Sequence, residues 1–377
     1  MALMAVNSRS RLGHWACTID RPILVAVLAL IGVGLLLSLA AGPIAADRLD
    51  YDNRLYFVMR HAAFAAASVS VLLVMSMLDA AWARRVAAIV FAGAFLLMAV
   101  IIGFGYEAKG SQRWIRLAGF SLQPSEFVKP ALIVLTGWLL AQRRLFPEGP
   151  WAPVALTLFV STLGLLLLQP DVGQAALLTM AFVCTFIVAG LPLRWVIVFA
   201  GGGALIGGLL YLTMPHVQHR VNTFFSDGSE AFQVERALAA QARGGLLGAG
   251  PGEGTIKRSI PDGHNDFIYS IMVEEFGLVM GLALIAVLVF ITLRGLMLAS
   301  RIDDPFRRAA SAGLFAIFGL QAAINLMVNT NLIPPKGMTL PFVSHGGSSM
   351  LGCALTLGLA LALVRQLPRR RRGLRYA

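Results

Sequence analysis

The sequence predicts an all-α, polytopic membrane protein of about ten transmembrane helices, with one large extracytoplasmic loop between helices seven and eight. Three observations predict it. Hydrophobic residues make up 58% of the 377 and charged residues only 13%, with a mean hydropathy of +0.76, unlike an ordinary soluble domain. Ten apolar runs approach the roughly 20 residues that a helix needs to cross a bilayer. Polar sequence collects in three segments, 105–123, 215–265 and 331–345, as it would if one side of the membrane carried the chemistry.

The runs follow in order. The first, 22–42, succeeds a short tail and is too long for the apolar core of a cleaved signal, so it reads as a retained anchor. Runs 56–78 and 86–104 come next. The fourth, 124–141, opens with Pro124, suited to a first helical turn, with Glu126 in the third position after Gln123. Glu126 and Lys129 then share a face. Runs 153–168 and 172–189 are parted by Gln169-Pro170-Asp171, a proline break that reads as a tight outer turn. After run 195–214 comes the loop 215–265, and loops of that length are uncommon unless functional. Within it, Ser229 is a plausible cap for a short amphipathic surface helix with Val234, Leu238 and Ala242 at helical spacing. The glycine-rich stretch 244–254 that follows lacks both GxGxxG and GK[ST], and reads as a flexible hinge or a pyrophosphate nest. Runs 266–293, 309–330 and 346–364 complete the set. Between the last two, NTNLIPPKGMTLPFVSHGGSSM is too polar and too rich in Pro and Gly to cross lipid as a helix, so it should be buried in protein or line a cavity. No linker or repeat divides the chain, and a single membrane domain over 1–377 is expected.

Charge sets the orientation. Of the 31 Lys and Arg residues, 18 fall in the tails 1–21 and 365–377 and the even-numbered loops, with five acids, whereas the remaining 13 share the odd loops and spans with 14 acids. By the positive-inside rule both tails are cytoplasmic. The net charge of +12 is therefore topological: the run Arg369–Arg372 with Arg375 follows the last span, where it meets anionic headgroups, and nucleic acid is not an expected partner. Cys17, Cys184 and Cys353 are placed for neither a disulfide nor a metal site.

Asp266 is the first candidate for chemistry. A carboxylate at the mouth of an apolar span is costly unless it faces a wet cavity, where it usually works. Counting by fours puts Asp266, Ser270 and Glu274 on one face, with Asp266 and Glu274 about 12 Å apart along the axis. That is too far for a two-carboxylate glycosidase site, so Asp266 acts alone or with other helices. His264 reads as a loop or capping residue or as a neighbour of the site. Glu274 and Glu275 read as partners for buried arginines such as Arg60, or as groups that tune the field around Asp266. Arg113 and Arg116 offer fixed positive charge to phosphate, with Trp114 between them as an interfacial anchor or a platform for a sugar face. Glu126 and Lys129 either cap and pair with each other or line an outward cavity. Lys257 and Arg258 border the glycine-rich stretch. Lys336, the only charge in its segment, is a loop residue or an oxyanion clamp.

The blocks GSQRWIRL, QPSEFVK, LLQPDVGQA, GHNDFIYSIMVEEFG and IPPKGMTLPFVSHGGSS, in this order on ten spans, resemble the SEDS family of shape, elongation, division and sporulation proteins. Lys336 and the pair Ser348 and Ser349 are closest to its division branch. Asn265 and His345 depart from the family's usual HTDF and SYGGSS. The resemblance implies an inverting peptidoglycan glycosyltransferase of the inner membrane. Such an enzyme polymerises lipid II and releases undecaprenyl pyrophosphate during septal wall synthesis. It implies Asp266 as catalytic base, with substrate contacts at Arg113, Trp114, Arg116, Glu126, Lys129, Lys257, His264, Lys336, Ser344 and Ser348. It further implies a divalent cation, Mg or Mn, without an identified ligand set and with no organic cofactor. Expected partners are an FtsI-like class B penicillin-binding protein, other divisome membrane proteins and membrane lipid. On composition alone, a lipid II flippase or transporter fits as well, and a non-catalytic scaffold is a third reading. Missing repeat symmetry and polar motifs gathered on one side argue against transport.

Overall fold

The computed structural model describes residues 11–365 except 105, 109–110, 118–119, 214–217, 219–221, 223–228 and 336. Side chains at 11, 104, 106–108, 111–112, 116–117, 120 and 229–231 are likewise outside it. Lys336, the side chain of Arg116, the start of the large loop and the basic C-terminal run thus lie beyond the described residues.

Twelve helices are described: α1 (Arg11–Thr18), α2 (Arg21–Arg48), α3 (Tyr56–Ser76), α4 (Ala80–Phe104), α5 (Ser125–Leu145), α6 (Trp151–Leu168), α7 (Val172–Val188), α8 (Arg194–Thr213), α9 (Ser229–Gly244), α10 (Ile268–Ser300), α11 (Pro305–Asn329) and α12 (Gly347–Val364). Eight are long and apolar enough to cross a membrane, α7 is apolar but only 17 residues long, and α5 spans 21 residues with Glu126 in its first turn, Lys129 just beyond it, and Arg143 and Arg144 in its last turn. Each of the ten expected spans therefore falls on a helix, with one interruption inside α10.

Local chemistry fixes several starts. The Asp20 carboxylate accepts from the Ile23 N–H at 3.1 Å ahead of Pro22, Asp304 accepts from Arg307 at 2.8 Å ahead of Pro305, and Asp171 accepts from Gln174 at 3.3 Å. Each side chain satisfies an otherwise orphaned donor of the first turn. The innermost helices are α5, α11 and α12, and α8 is peripheral: 83% of the apolar window of α12 is buried, against 6% for α8. Close approach in the centre depends on small residues. A side-chain carbon on Gly137 of α5 would lie 2.7 Å from the Ala310 backbone nitrogen of α11.

The two ends of the bundle are held by different chemistry. At one, Arg294 makes a two-pronged bridge to Asp20 at 2.9 and 2.8 Å. There too, Arg307 donates to the carbonyls of Leu363 and Arg365, and Arg365 to that of Leu78. This gathers the expected cytoplasmic segments. At the other end, Arg48 donates to the carbonyls of Ile260 and Arg258 at 2.9 and 2.6 Å, tying the large loop to α2.

Three features depart from the sequence reading. Between α4 and α5 the described residues form a three-stranded antiparallel sheet, β1 (Tyr106–Ala108), β2 (Ser111–Leu117) and β3 (Phe120–Leu122), with Tyr106 opposite Trp114 and Ile115 opposite Leu122. Strands of three residues carry too little alternation to be read beforehand. Helix α9 exists as expected, but its buried stripe is Val234, Ala237 and Ala240, whereas Leu238 is exposed. It packs on α10, so closely that a side-chain carbon on Gly244 would lie 2.0 Å from the Val273 carbonyl oxygen.

The third departure is in α10 itself, which breaks at Gly277 (φ +83°, ψ 170°). A break inside a span frees backbone groups that lipid cannot satisfy. Here the glycine-rich loop satisfies them. Ala249 and Gly250 N–H donate to the carbonyls of Glu274 and Glu275 at 2.9 and 3.0 Å, and the N–H groups of Leu278 and Val279 donate to Gly245 and Leu246 at 2.9 and 3.2 Å. Over Gly244–Gly250 the stretch is thus neither a loose hinge nor an anion nest, because its backbone is committed to the broken helix.

Candidate functional site

Asp266 does not sit on the helix where the count by fours would place it. Residues 261–267 form successive turns, with the Asp266 N–H donating to the Asp262 carbonyl at 3.1 Å, and α10 begins at Ile268. The half-buried Asp266 side chain faces the segment after Lys336: a side-chain carbon built on Gly337 would stand 3.8 Å from Asp266 Oδ2. The backbone carbonyl of Asp266 accepts two hydrogen bonds, from Asn325 Nδ2 and Asn329 Nδ2, each 2.9 Å.

The residues expected on its face do other work. Ser270 donates to Asn329 Oδ1 at 2.9 Å. The Glu274 carboxylate accepts the N–H groups of Ile256 and Lys257, each at 2.7 Å, with Arg243 3.9 Å away. Glu275 pairs with Lys257. Neither acid pairs with Arg60, whose guanidinium lies over the Phe64 ring. Lys257 is buried and committed to this pair, which takes it out of the open charge expected near phosphate.

His264 belongs to an aromatic cluster. Its ring centroid lies 5.8 Å from that of His345 and 5.3 Å from Phe57, and His61 lies 5.7 Å from His345. The His345 N–H donates to the His264 carbonyl at 3.0 Å, joining the turn before Asp266 to the segment before α12. Burial, with His61, His264 and Arg60 facing it, pushes the His345 imidazole down to about 3.

A second polar centre is fully inside the bundle. Lys129 Nζ donates to Glu126 Oε2 at 3.0 Å and to Gln174 Oε1 at 2.6 Å, and Gln174 Nε2 donates to Glu126 Oε1 at 2.7 Å. Glu126 and Lys129 are 4% and 2% exposed, so the outward cavity expected for them is replaced by a closed ring of hydrogen bonds, beside a small pocket that the two line together with Gln321 and Cys353. Asp171 continues the network: Gln123 Nε2 donates to it at 3.4 Å, and Arg113 Nη1 lies 3.4 Å away. Arg113 Nη2 also donates to the Pro170 carbonyl at 2.8 Å. Burial pushes the Asp171 carboxyl up, against the pull of Arg113. Asp171 is therefore both the expected turn residue and an anchor for the hairpin that carries Arg113 and Trp114. Trp114 is half-buried in β2, and the backbone of Arg116 pairs with Ser121.

Ser344 and Ser348 hold backbone. The Ser344 hydroxyl accepts from the Leu340 N–H at 2.8 Å, and that of Ser348 accepts from the Gln123 N–H at 3.1 Å while donating to the Ser121 carbonyl at 3.0 Å. Both are buried.

Sequence reasoning missed the residues that join the two centres. Gln321, Asn325 and Asn329 recur every four residues along α11 and are 5%, 1% and 0% exposed. Gln321 shares the cavity of Glu126 and Lys129, and Asn325 and Asn329 hold the Asp266 turn, so the centres occupy successive turns of one helix face. The signal was present: three amides at helical spacing in an apolar span seldom face lipid. Among the described residues, no group of three His, Cys, Asp or Glu side chains could hold a metal ion.

The family model for cell cycle proteins covering FtsW, RodA and SpoVE matches residues 21–368. The chain belongs to this family. It is 47% identical over 366 residues to a Caulobacter vibrioides protein named probable peptidoglycan glycosyltransferase FtsW, covering 97% of this chain and 94% of that one. A Pseudomonas fluorescens protein of the same name is 33% identical over 361 residues, covering 92% and 88%. Among solved structures, one described as structural coordination of polymerization and crosslinking by a peptidoglycan synthase complex superposes with a TM-score of 0.74 at 25% identity, covering 92% of this chain and 97% of that one. The rod shape determining protein RodA of Thermus thermophilus does so at 0.66 and 25%, covering 92% and 96%. The multi-pass helical fold of the family is thus the fold of this chain.

Proposed function

We propose that the protein is a peptidoglycan glycosyltransferase that polymerises lipid II during septal wall synthesis, with Asp266 as its general base. The observation that carries this reading is the setting of Asp266. It is a half-buried carboxylate on the turn that leads into α10, with its backbone carbonyl clamped by two buried amides and its side chain toward Gly337. The names of the relatives support the activity.

In the reaction, the 4-hydroxyl of one GlcNAc attacks the anomeric carbon of the next MurNAc. The bond from that carbon to the lipid pyrophosphate breaks, the new glycosidic bond forms with inversion, and the hydroxyl proton passes to the Asp266 carboxylate. A positioned base and fixed positive charge at the leaving group both lower the barrier. Lys129 and Lys257 are committed to buried carboxylates and Arg113 to Asp171 and the Pro170 carbonyl, so we assign the charge facing pyrophosphate to Lys336 and Arg116, with Trp114 against a sugar face, His264 bordering the base and Arg113 anchoring the hairpin. Glu126, Lys129, Lys257, Ser344 and Ser348 act through the scaffold that sets these groups. A magnesium or manganese ion, when bound, supplies further charge against the pyrophosphate. We further place both tails on the cytoplasmic side and the protein at the division septum, beside a class B penicillin-binding protein and other divisome membrane proteins. The similarity to a synthase complex supports that pairing.

The test is polymerisation of lipid II by the purified full chain with its transpeptidase partner. Asp266→Asn should abolish glycan products while leaving insertion and thermal stability unchanged. Full activity in that variant would remove Asp266 as the base. Lipid II transport without glycan product in the unmodified protein would favour a flippase instead.

A further inference from the structure

We infer that Asn325 and Asn329 are positioning residues that set the geometry of the proposed base against the segment 337–339, an inference that rests on the function proposed above. Three observations converge. Both amides donate to one acceptor, the Asp266 backbone carbonyl, at 2.9 Å each. Asn325 Nδ2 also donates to the Met338 carbonyl at 2.6 Å, so one side chain bridges the turn that carries Asp266 and the strand of chain two residues past Lys336. One helical turn away, Gln321 Nε2 donates to the Thr339 carbonyl at 3.3 Å, continuing the same attachment. Asp266 and the segment after Lys336 are thereby stapled to one face of α11, which places Gly337 so that a carbon added to it would stand 3.8 Å from the Asp266 carboxylate.

The amides are themselves locked. Asn329 Nδ2 donates to Asn325 Oδ1 at 3.2 Å, and Asn329 Oδ1 accepts from Ser270 at 2.9 Å. Gln241 Nε2 reaches both Ser270 Oγ, at 2.9 Å, and the Asn329 carbonyl, at 2.8 Å. Helix α9 thus buttresses the far side of the clamp. Four side chains from three helices, two bonded to it and two locking them, fix one carbonyl that sits on an otherwise irregular segment, where only such outside partners can define a single position. Groups that support a site in this way matter because a misplacement of about 1 Å can cost on the order of 100-fold in rate.

The experiment uses the full-length protein with its transpeptidase partner in lipid. It measures single-turnover polymerisation and lipid II binding for Asn325→Leu, Asn329→Leu, the double variant and Asp266→Asn, each normalised to folded protein. The single variants should slow turnover by about 3- to 5-fold and the double by about 100-fold, above the roughly 9- to 25-fold that independent sites would give, with binding within about twofold throughout. Each single variant leaves one amide on the carbonyl, so both remain informative if the double does not fold. Turnover within twofold of the unmodified protein in both singles overturns the inference, as does a loss of binding equal to the loss of rate. An active Asp266→Asn would instead overturn the proposed base, which separates failure of that reading from failure of this one.

Discussion

Replacing Gly277 by alanine tests how α10 is built. At φ +83° and ψ 170° the position lies in a region that is essentially glycine-only, and another residue there costs about 1–3 kcal/mol in backbone strain. The added carbon would also stand 2.3 Å from the Leu246 carbonyl oxygen, 2.5 Å from the Gly248 nitrogen and 2.5 Å from the Leu247 carbonyl carbon. These are backbone atoms, so the loop must retreat. Its retreat breaks the four backbone hydrogen bonds between Gly245–Gly250 and the broken helix, each contributing about 0.5–1.5 kcal/mol net. Strain and lost bonds together come to about 3–9 kcal/mol. At about 2 °C per kcal/mol the melting midpoint should fall by roughly 6–18 °C. Thermal unfolding in detergent reads the midpoint, and amide exchange at Ala249, Gly250, Leu278 and Val279 reads the bonds directly. Gly207→Ala on α8, where an added carbon meets nothing within 4 Å, should leave both unchanged. A Gly277→Ala protein with an unaltered midpoint and unaltered protection at those four amides would refute the account of the break.

Two further outcomes follow from buried charge. Lys129→Met leaves the Glu126 carboxylate inside the bundle with Gln174 alone, and breaking such a pair costs about 3–5 kcal/mol. Its melting midpoint should fall, and the double variant Glu126→Gln with Lys129→Met should recover much of the loss; full stability in the single variant would argue that the pair is not structural. His345 is held near a pKa of about 3 by burial, against about 6.5 for the unfolded chain. The unfolded chain therefore takes up a proton that the folded protein resists, so stability is complete above about pH 6.5 and declines as pH falls toward about 3. His345→Gln should flatten that decline in melting midpoints measured between about pH 4 and 8, and identical slopes in the two proteins would show that His345 is not responsible.

The sequence by itself determined the ten spans, because burial in lipid demands long apolar runs and leaves little room for ambiguity. It also singled out Asp266 as the first candidate for chemistry, since an ionisable residue at the mouth of a span is costly to place there without purpose. The motif blocks carried the family. What only the tertiary structure decided is which polar groups meet. Glu126 and Lys129 could cap a helix, line a mouth or close a buried ring, and the ring required Gln174, 45 residues on from Lys129. Lys257 could have faced phosphate, but Glu275 holds it once α10 breaks and the loop folds back. The break was illegible for the same reason. Gly277 sits in an unremarkable apolar run, and its positive φ is tolerated only because a loop about 30 residues earlier in the chain supplies the missing backbone partners. The amides of α11 were visible as a period of four, but their acceptor is a backbone carbonyl, which every residue carries and no sequence distinguishes. Spacing along one helix names a face, and only the packing of several helices names what that face holds.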